Sequence, residues 1–318
     1  METPAVSIIV PAYRVTKYIA DALDSIFRQT FTDYEVIVVN DGCPDTAALE
    51  HTLTPYRVQI RYIQQENRGL ACARNTGIRN STAPLVVLLD ADDILEPNYL
   101  EKMVAAMRAD VSLDVLYCDA LFFGEPKTGG RRFTEFCPSE GPVTFLTLLT
   151  QRCNVLVTAT IRRERGERVG WFDESLRSAE DFDLWLRIAK AGGRIEYLPD
   201  PLVRIRKHAG SLSSDPVWMW GVGLKVLRKT AERPDLTPEE ARELSRVTEK
   251  FQANLDFQEG RRAFFAGDTS TAVSKFESAT RVLRQRKLAA ILATLKIAPR
   301  VAMPLLRALG QRLGRGVQ

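Results

Sequence analysis

Short apolar runs recur at residues 6–10, 35–39, 58–63 and 84–89, and between them the hydrophobic residues fall at helical spacing. Residues 15–29 show that spacing through Tyr18, Ile19, Leu23, Ile26 and Phe27, and residues 70–79 also suit a helix. Alternation at this pitch predicts an α/β fold, a mainly parallel sheet with helices on both faces. Ligands of such sheets sit beyond the carboxyl ends of the strands. Pro11, Ala12 and Tyr13, then Asn40, Asp41 and Gly42, then residues 90–93 all fall on that edge.

The last of these, Leu88-Leu89-Asp90-Ala91-Asp92-Asp93, sets carboxylates directly behind a buried strand. Alternate residues of an extended chain share a side, so Asp90 and Asp92 should aim together. Like charges held that close need a neutralising partner. A hard divalent cation with phosphate co-ligands is one. The other reading is an acidic start to the helix that begins near Glu96 and Pro97. Asp93 should face away from Asp92 unless the chain turns there.

Beyond residue 112 the alternation loosens. Strands are expected at 113–117 and 131–136 around a turn at 124–130, then a helix at 178–191 and strands at 194–198 and 202–205. After Asp215-Pro216 the texture becomes helical and charged, with breaks near Arg233-Pro234 and Gly267-Asp268. Residues 253–280 read as one helical hairpin, similar to a single tetratricopeptide unit, which cannot stack into an array by itself. The domain expectation is residues 1–215 as the α/β domain, divided into 1–112 and 113–215, followed by a helical extension at 216–318.

At 318 residues with 26% charged side chains and a net charge of +4, the chain has the make-up of an ordinary soluble protein. That charge argues against a dedicated nucleic-acid binder. Cys43, Cys72, Cys118, Cys137 and Cys153 lie far apart, which favours neither structural zinc nor a disulfide framework and suits a reducing cytosol. The apolar run near the N-terminus is short and has no cationic segment before it, so no secretory signal is expected. No stretch has the roughly 18 apolar residues of a spanning helix.

The segments VSIIVPAYRVTKYIADALDSIFRQT, VIVVNDGCPD, QENRGLACARNTGI, LVVLLDADDILEPNYL and SAEDFDLWLRIAKAGG, in that order, resemble a family 2 inverting glycosyltransferase of the GT-A fold. The likeness covers residues 5–210. It implies that Pro11, Ala12 and Tyr13 flank the base of a nucleotide-sugar donor and that Asp41 accepts a hydrogen bond from that base. Arg74 would meet the diphosphate or the base edge. Asp90 and Asp92 would hold Mg²⁺ or Mn²⁺ against the donor diphosphate, and His208 would assist the metal or the diphosphate. Where Cys43 stands the family more often has Ser.

The resemblance also gives Asp181 the part of general base, deprotonating an acceptor hydroxyl as it attacks the anomeric carbon. Asp181, Leu184, Trp185 and Ile188 share one helix face, whereas Asp183, Arg187 and Lys190 should fall elsewhere. A carboxylate continuing an apolar stripe should have its pKa raised, as a base requires. Helix N-capping is the alternative part for this Asp. Trp171 is a candidate for the acceptor side, and Trp185 belongs with the core.

From Arg281 to Gln318 there are nine Lys or Arg and no Asp or Glu. Within residues 288–310, Lys296, Arg300 and Arg307 lie within about 40° on a helical projection. That suits a helix on an anionic membrane, kinked at Pro299 and Pro304. Docking of the helix on the catalytic domain is the other reading. The expected protein is therefore a cytoplasmic, membrane-peripheral hexosyl- or glycosyltransferase acting on a glycan or lipid-linked acceptor in surface glycan or glycolipid synthesis, with no nucleic-acid partner. A sugar-phosphate nucleotidyltransferase and a non-catalytic scaffold of the same fold are the alternatives.

Overall fold

The computed structural model describes residues 3–124, 128–208, 210–211, 215–284 and 286–297. The chain divides into two compact units, residues 1–211 and 212–318. In the first, the elements follow as β1 (Val6–Ala12), α1 (Ile19–Phe27), β2 (Tyr34–Asp41), α2 (Thr46–Leu53), β3 (Arg61–Gln65), α3 (Leu70–Arg79), β4 (Leu85–Leu88) and β5 (Ile94–Leu95). They continue as α4 (Tyr99–Ala109), β6 (Val115–Phe123), α5 (Phe145–Leu149), β7 (Ala159–Arg162), α6 (Arg163–Val169), α7 (Glu180–Lys190) and β8 (Ile195–Arg206).

The strands form one eight-stranded sheet in the order β3-β2-β1-β4-β7-β6-β8-β5. From β3 to β4 every pairing is parallel, whereas β7 runs antiparallel to both β4 and β6. β1 is buried along its whole length, as a parallel strand covered on both faces must be. The register pairs Ala12 with Asn40, Asp41 with Gln65 and Ile9 with Leu88, so these strand ends finish on one edge.

α3 buries almost its entire circumference, including Ala71, Cys72, Ala73, Arg74, Asn75, Gly77 and Ile78. Its small residues let the helix press onto the sheet. A Cβ at Gly77 would overlap Ile9 Cγ2 and lie 3.3 Å from Val39 Cγ2.

Three expectations change. The strand expected at 58–63 is β3 at 61–65, after a turn that leaves Val58 exposed. Residues 194–198 and 202–205 belong to one strand, β8, whose pairing with β6 shifts register around Asp119. The strand expected at 131–136 is instead a 3₁₀ turn, Phe133–Glu135. Local polar contacts outbid a ladder there. Glu135 accepts the Arg132 N–H at 2.8 Å, and the buried Asp119 carboxylate accepts the Thr134 hydroxyl at 2.9 Å and Arg132 Nη1 at 3.2 Å.

The second unit is helical: α8 (Pro216–Ala231), α9 (Pro238–Ala266), α10 (Thr269–Leu283) and α11 (Arg286–Ile297). Thr237 and Glu240 form a capping box at the start of α9, and Gly267, at φ +93°, ends it. Phe264, Ala272, Phe276 and Ala279 make the core of the α9–α10 hairpin, joined by Leu288 and Leu295 from α11. The start of the segment expected on a membrane thus turns apolar residues onto protein. The Lys296 side chain, Pro299, Arg300, Pro304 and Arg307 lie outside what the structure describes. Among the described residues no helix is long and apolar enough to cross a membrane.

Candidate active site

The strand ends carry the first part of the site. Pro11 and Ala12 are buried at the end of β1, and Tyr13 turns outward, 39% exposed, with the Arg14 guanidinium 5.2 Å from its ring centroid. Asp41, at the end of β2, is buried and accepts the backbone N–H groups of Arg68 and Gly69, each at 2.9 Å. Its Oδ1 also accepts Gln65 Nε2 at 2.7 Å, and its backbone carbonyl accepts Asn67 Nδ2 at 3.0 Å. The residue expected to meet a base therefore also shapes the loop before α3. Gly42 permits the close approach: it sits at φ +65°, and a Cβ there would lie 2.6 Å from the Asn67 nitrogen.

Beyond β4 the chain does turn, because the Asp93 N–H donates to the Asp90 carbonyl at 3.0 Å. Asp93 is buried, its Oδ1 accepting the Arg206 N–H at 2.9 Å, and burial pushes its carboxyl well above the usual carboxylate range. Asp92 Oδ2 lies 3.0 Å from His208 Nε2. His208 Nδ1 accepts the Gly210 N–H at 3.2 Å, which leaves Nε2 to carry the proton and donate to Asp92. The imidazole rests 4.8 Å from the Tyr18 ring, with Asp92 and the Gly210 N–H at its two nitrogens.

The residues here suit a hard divalent cation. The Asp92 carboxyl is raised by burial and then by the charge of Asp90, the signature of carboxylates sharing a site. Among the described residues no cluster of three or more His, Cys, Asp or Glu could hold a metal alone. A pair of aspartates is nevertheless the usual protein share for Mg²⁺ when phosphate oxygens complete the shell.

The opposite wall is the start of α7. Ala179 caps it in the left-handed conformation, at φ 57°, which costs about 1–3 kcal/mol for a residue with a Cβ. Asp181 keeps an exposed edge, and its Oδ1 accepts the N–H of Phe182 at 2.7 Å. Burial raises its pKa, with Arg74 opposing. Asp183 departs from expectation: it is buried and paired with Arg187 at 2.7 Å, and Arg187 donates to the carbonyls of Val169 and Trp171, each at 2.6 Å. Trp171 is also buried, packed so closely on Gly166 that a Cβ there would overlap the indole. It is therefore part of the core and not an open acceptor platform.

Arg74 joins these parts. Its side chain is 1% exposed; Nη2 donates to Asp90 Oδ1 at 2.6 Å, and Nη1 donates to the buried Glu180. Glu180 falls at the start of the helix expected at 178–191, where nothing in the sequence gives it a part in the site. The available clue was the ring of small residues around Arg74, which marks a helix enclosed on more than one side.

The family model described as Glycosyl transferase family 2 matches residues 7–164. This stretch of the chain belongs to glycosyl transferase family 2. An uncharacterized glycosyltransferase of Rickettsia typhi is 30% identical over 216 residues, covering 65% of each protein. The uncharacterized glycosyltransferase EpsJ of Bacillus subtilis is 32% identical over 226 residues, covering 67% of this chain and 64% of EpsJ. The chain spans 35% of a relative from Rickettsia felis and 17% of the glycosyltransferase GlyA of Streptococcus pneumoniae. In fold, the chain is similar to residues 1–349 of S. aureus TarS in complex with UDP-GlcNAc, at TM-score 0.61 and 20% identity over 97% of this chain and 92% of that one. It is equally similar to the mannosyltransferase PcManGT of Pyrobaculum calidifontis in complex with GDP-Man and Mn²⁺, at TM-score 0.61 and 22% identity over 98% and 86%. The architecture is that of the GT-A glycosyltransferases.

Proposed function

We propose that this glycosyltransferase moves a sugar from a nucleotide-diphospho-sugar to an acceptor hydroxyl, with inversion and with Mg²⁺ or Mn²⁺ as cofactor. The observation that carries the reading is the convergence on Arg74 of Asp90, from the end of β4, and the Glu180-Asp181 start of α7. Tyr13 and the loop shaped by Asp41 receive the nucleoside. Asp90 and Asp92 hold the cation, and His208 orients Asp92. When bound, the cation stabilises the negative charge that gathers on the departing diphosphate.

Asp181 takes the proton from the acceptor hydroxyl. The acceptor oxygen forms its bond to the anomeric carbon from the face opposite the leaving diphosphate while the sugar–phosphate bond breaks. Such a base contributes about 10²–10⁴-fold in rate. The nucleotide-sugar neighbours support the donor class, and Mn²⁺ in PcManGT supports the cofactor. The cationic stretch after residue 280 supports attachment to an anionic membrane, hence a lipid-linked or surface-glycan acceptor at the cytoplasmic face.

A panel of nucleotide-sugars with Mg²⁺ or Mn²⁺, scored by release of nucleoside diphosphate, tests the reading. Turnover of at least one donor is expected. Consumption of a nucleoside triphosphate and a sugar phosphate instead would assign nucleotidyl transfer.

A further inference from the structure

Three segments distant in sequence end on one buried guanidinium. Arg74 sits in the first half of α3, Asp90 follows β4, and Glu180 opens α7. The arginine is 1% exposed, Glu180 4% and Asp90 31% by side chain, with the Phe172 ring 5.5 Å from the guanidinium. Asn75, beside Arg74, fastens the approach to α7: its Nδ2 donates to the Phe172 carbonyl at 2.8 Å, and its Oδ1 accepts the Phe172 N–H at 3.1 Å.

Dehydrating an ion costs several kcal/mol, and well-packed apolar side chains usually join elements at least as firmly. What a guanidinium adds is a rigid planar fork that fixes the separation and angle of two carboxylates. Here those carboxylates are Asp90 itself and the residue immediately before Asp181. The left-handed Ala179 just upstream shows that the backbone is held away from its relaxed course at this point.

We infer that Glu180 is a positioning residue for sugar transfer, acting through Arg74 to set the Asp181 carboxylate relative to Asp90. The inference rests on the reading of Asp181 as the base and Asp90 as part of the donor site. Glu180 does not take the proton, because its carboxylate is buried and committed to Arg74. Its effect is geometric. A misplacement of about 1 Å in a reacting pair can lower a rate by about 100-fold.

The test uses the full chain with Glu180→Gln, which keeps the shape and removes the charge, and with Arg74→Lys, which keeps the charge and removes the fork. Each should lower kcat by about 10- to 100-fold with donor KM within about threefold, and the double variant should be little worse than either single one. Hydrogen exchange at the amides of the first turn of α7 should quicken in both, with β1 and β4 unchanged. Wild-type kcat and exchange in Glu180→Gln would overturn the inference, as would losses that multiply in the double variant. An unaltered chain that turns over no nucleotide-sugar, while Glu180→Gln still loosens α7, would sink the transferase reading and leave the tie itself standing.

Discussion

The Asp41 carboxylate accepts the backbone N–H of Gly69 at 2.9 Å, so the end of β2 and the beginning of α3 form one structure. Its other oxygen takes the Arg68 N–H. Asp41→Asn turns an amide NH₂ toward one of those donors and leaves it unpaired. A buried donor left unpaired costs about 1–3 kcal/mol. Urea denaturation should show a loss of that size, and donor KM should rise by about tenfold or more. An unchanged KM would mean that the loop plays no part in donor binding.

Gly77 allows α3 to press onto β1, since a Cβ there would overlap Ile9 Cγ2. Gly77→Ala should destabilise the first unit by about 1–3 kcal/mol through overpacking, although alanine is the better helix former. The urea midpoint reads this out; an equal or higher midpoint would contradict the packing described.

Burial raises the Asp181 carboxyl above its ordinary value, against the pull of Arg74. A base must be deprotonated, so kcat should fall as pH drops through a pKa above the usual carboxylate value of about 4. Stability runs the other way. A carboxyl with a raised folded pKa contributes most below its unfolded pKa and loses that contribution as pH rises through the folded one. Asp181→Asn should therefore melt higher than the unaltered protein at neutral pH, and the gap should close toward pH values of about 4. A gap constant with pH would deny the shift.

How much of this could be read from the chain depends on the range of the forces involved. The strands and helices read at 6–39 and 70–89 follow periodicities that act over a few residues, and the structure keeps them, whereas the strand read at 58–63 lies at 61–65 and α2 had no such signal. Periodicity failed at 131–136, where the outcome depends on Asp119, a buried carboxylate of β6. It failed again at Asp183, which the helical projection set apart from the buried face although its burial depends on Arg187 and two loop carbonyls. The motifs single out Asp41, Asp90, Asp92 and Asp181, each within a few residues of a strand or helix end. The partnership of Arg74 with Glu180 was hidden because it joins residues 106 positions apart.

The cationic stretch after residue 280 should bring the protein down with liposomes of anionic lipid, and less so as salt rises. Replacing Arg300, Arg307, Arg312 and Arg315 with Gln leaves the described helices untouched and should abolish co-sedimentation. Equal sedimentation of that variant would place the membrane contact elsewhere or exclude it.

The central claim is that Asp181 receives the acceptor proton in a site whose donor binding depends on other residues. Asp181→Asn in the full chain, with donor affinity measured by calorimetry and transfer by nucleoside diphosphate release, tests it most directly. Donor affinity within about threefold of the unaltered protein, with transfer at least about 100-fold slower, is the expected result. Transfer at the unaltered rate with the donor bound would place the base elsewhere and contradict the account.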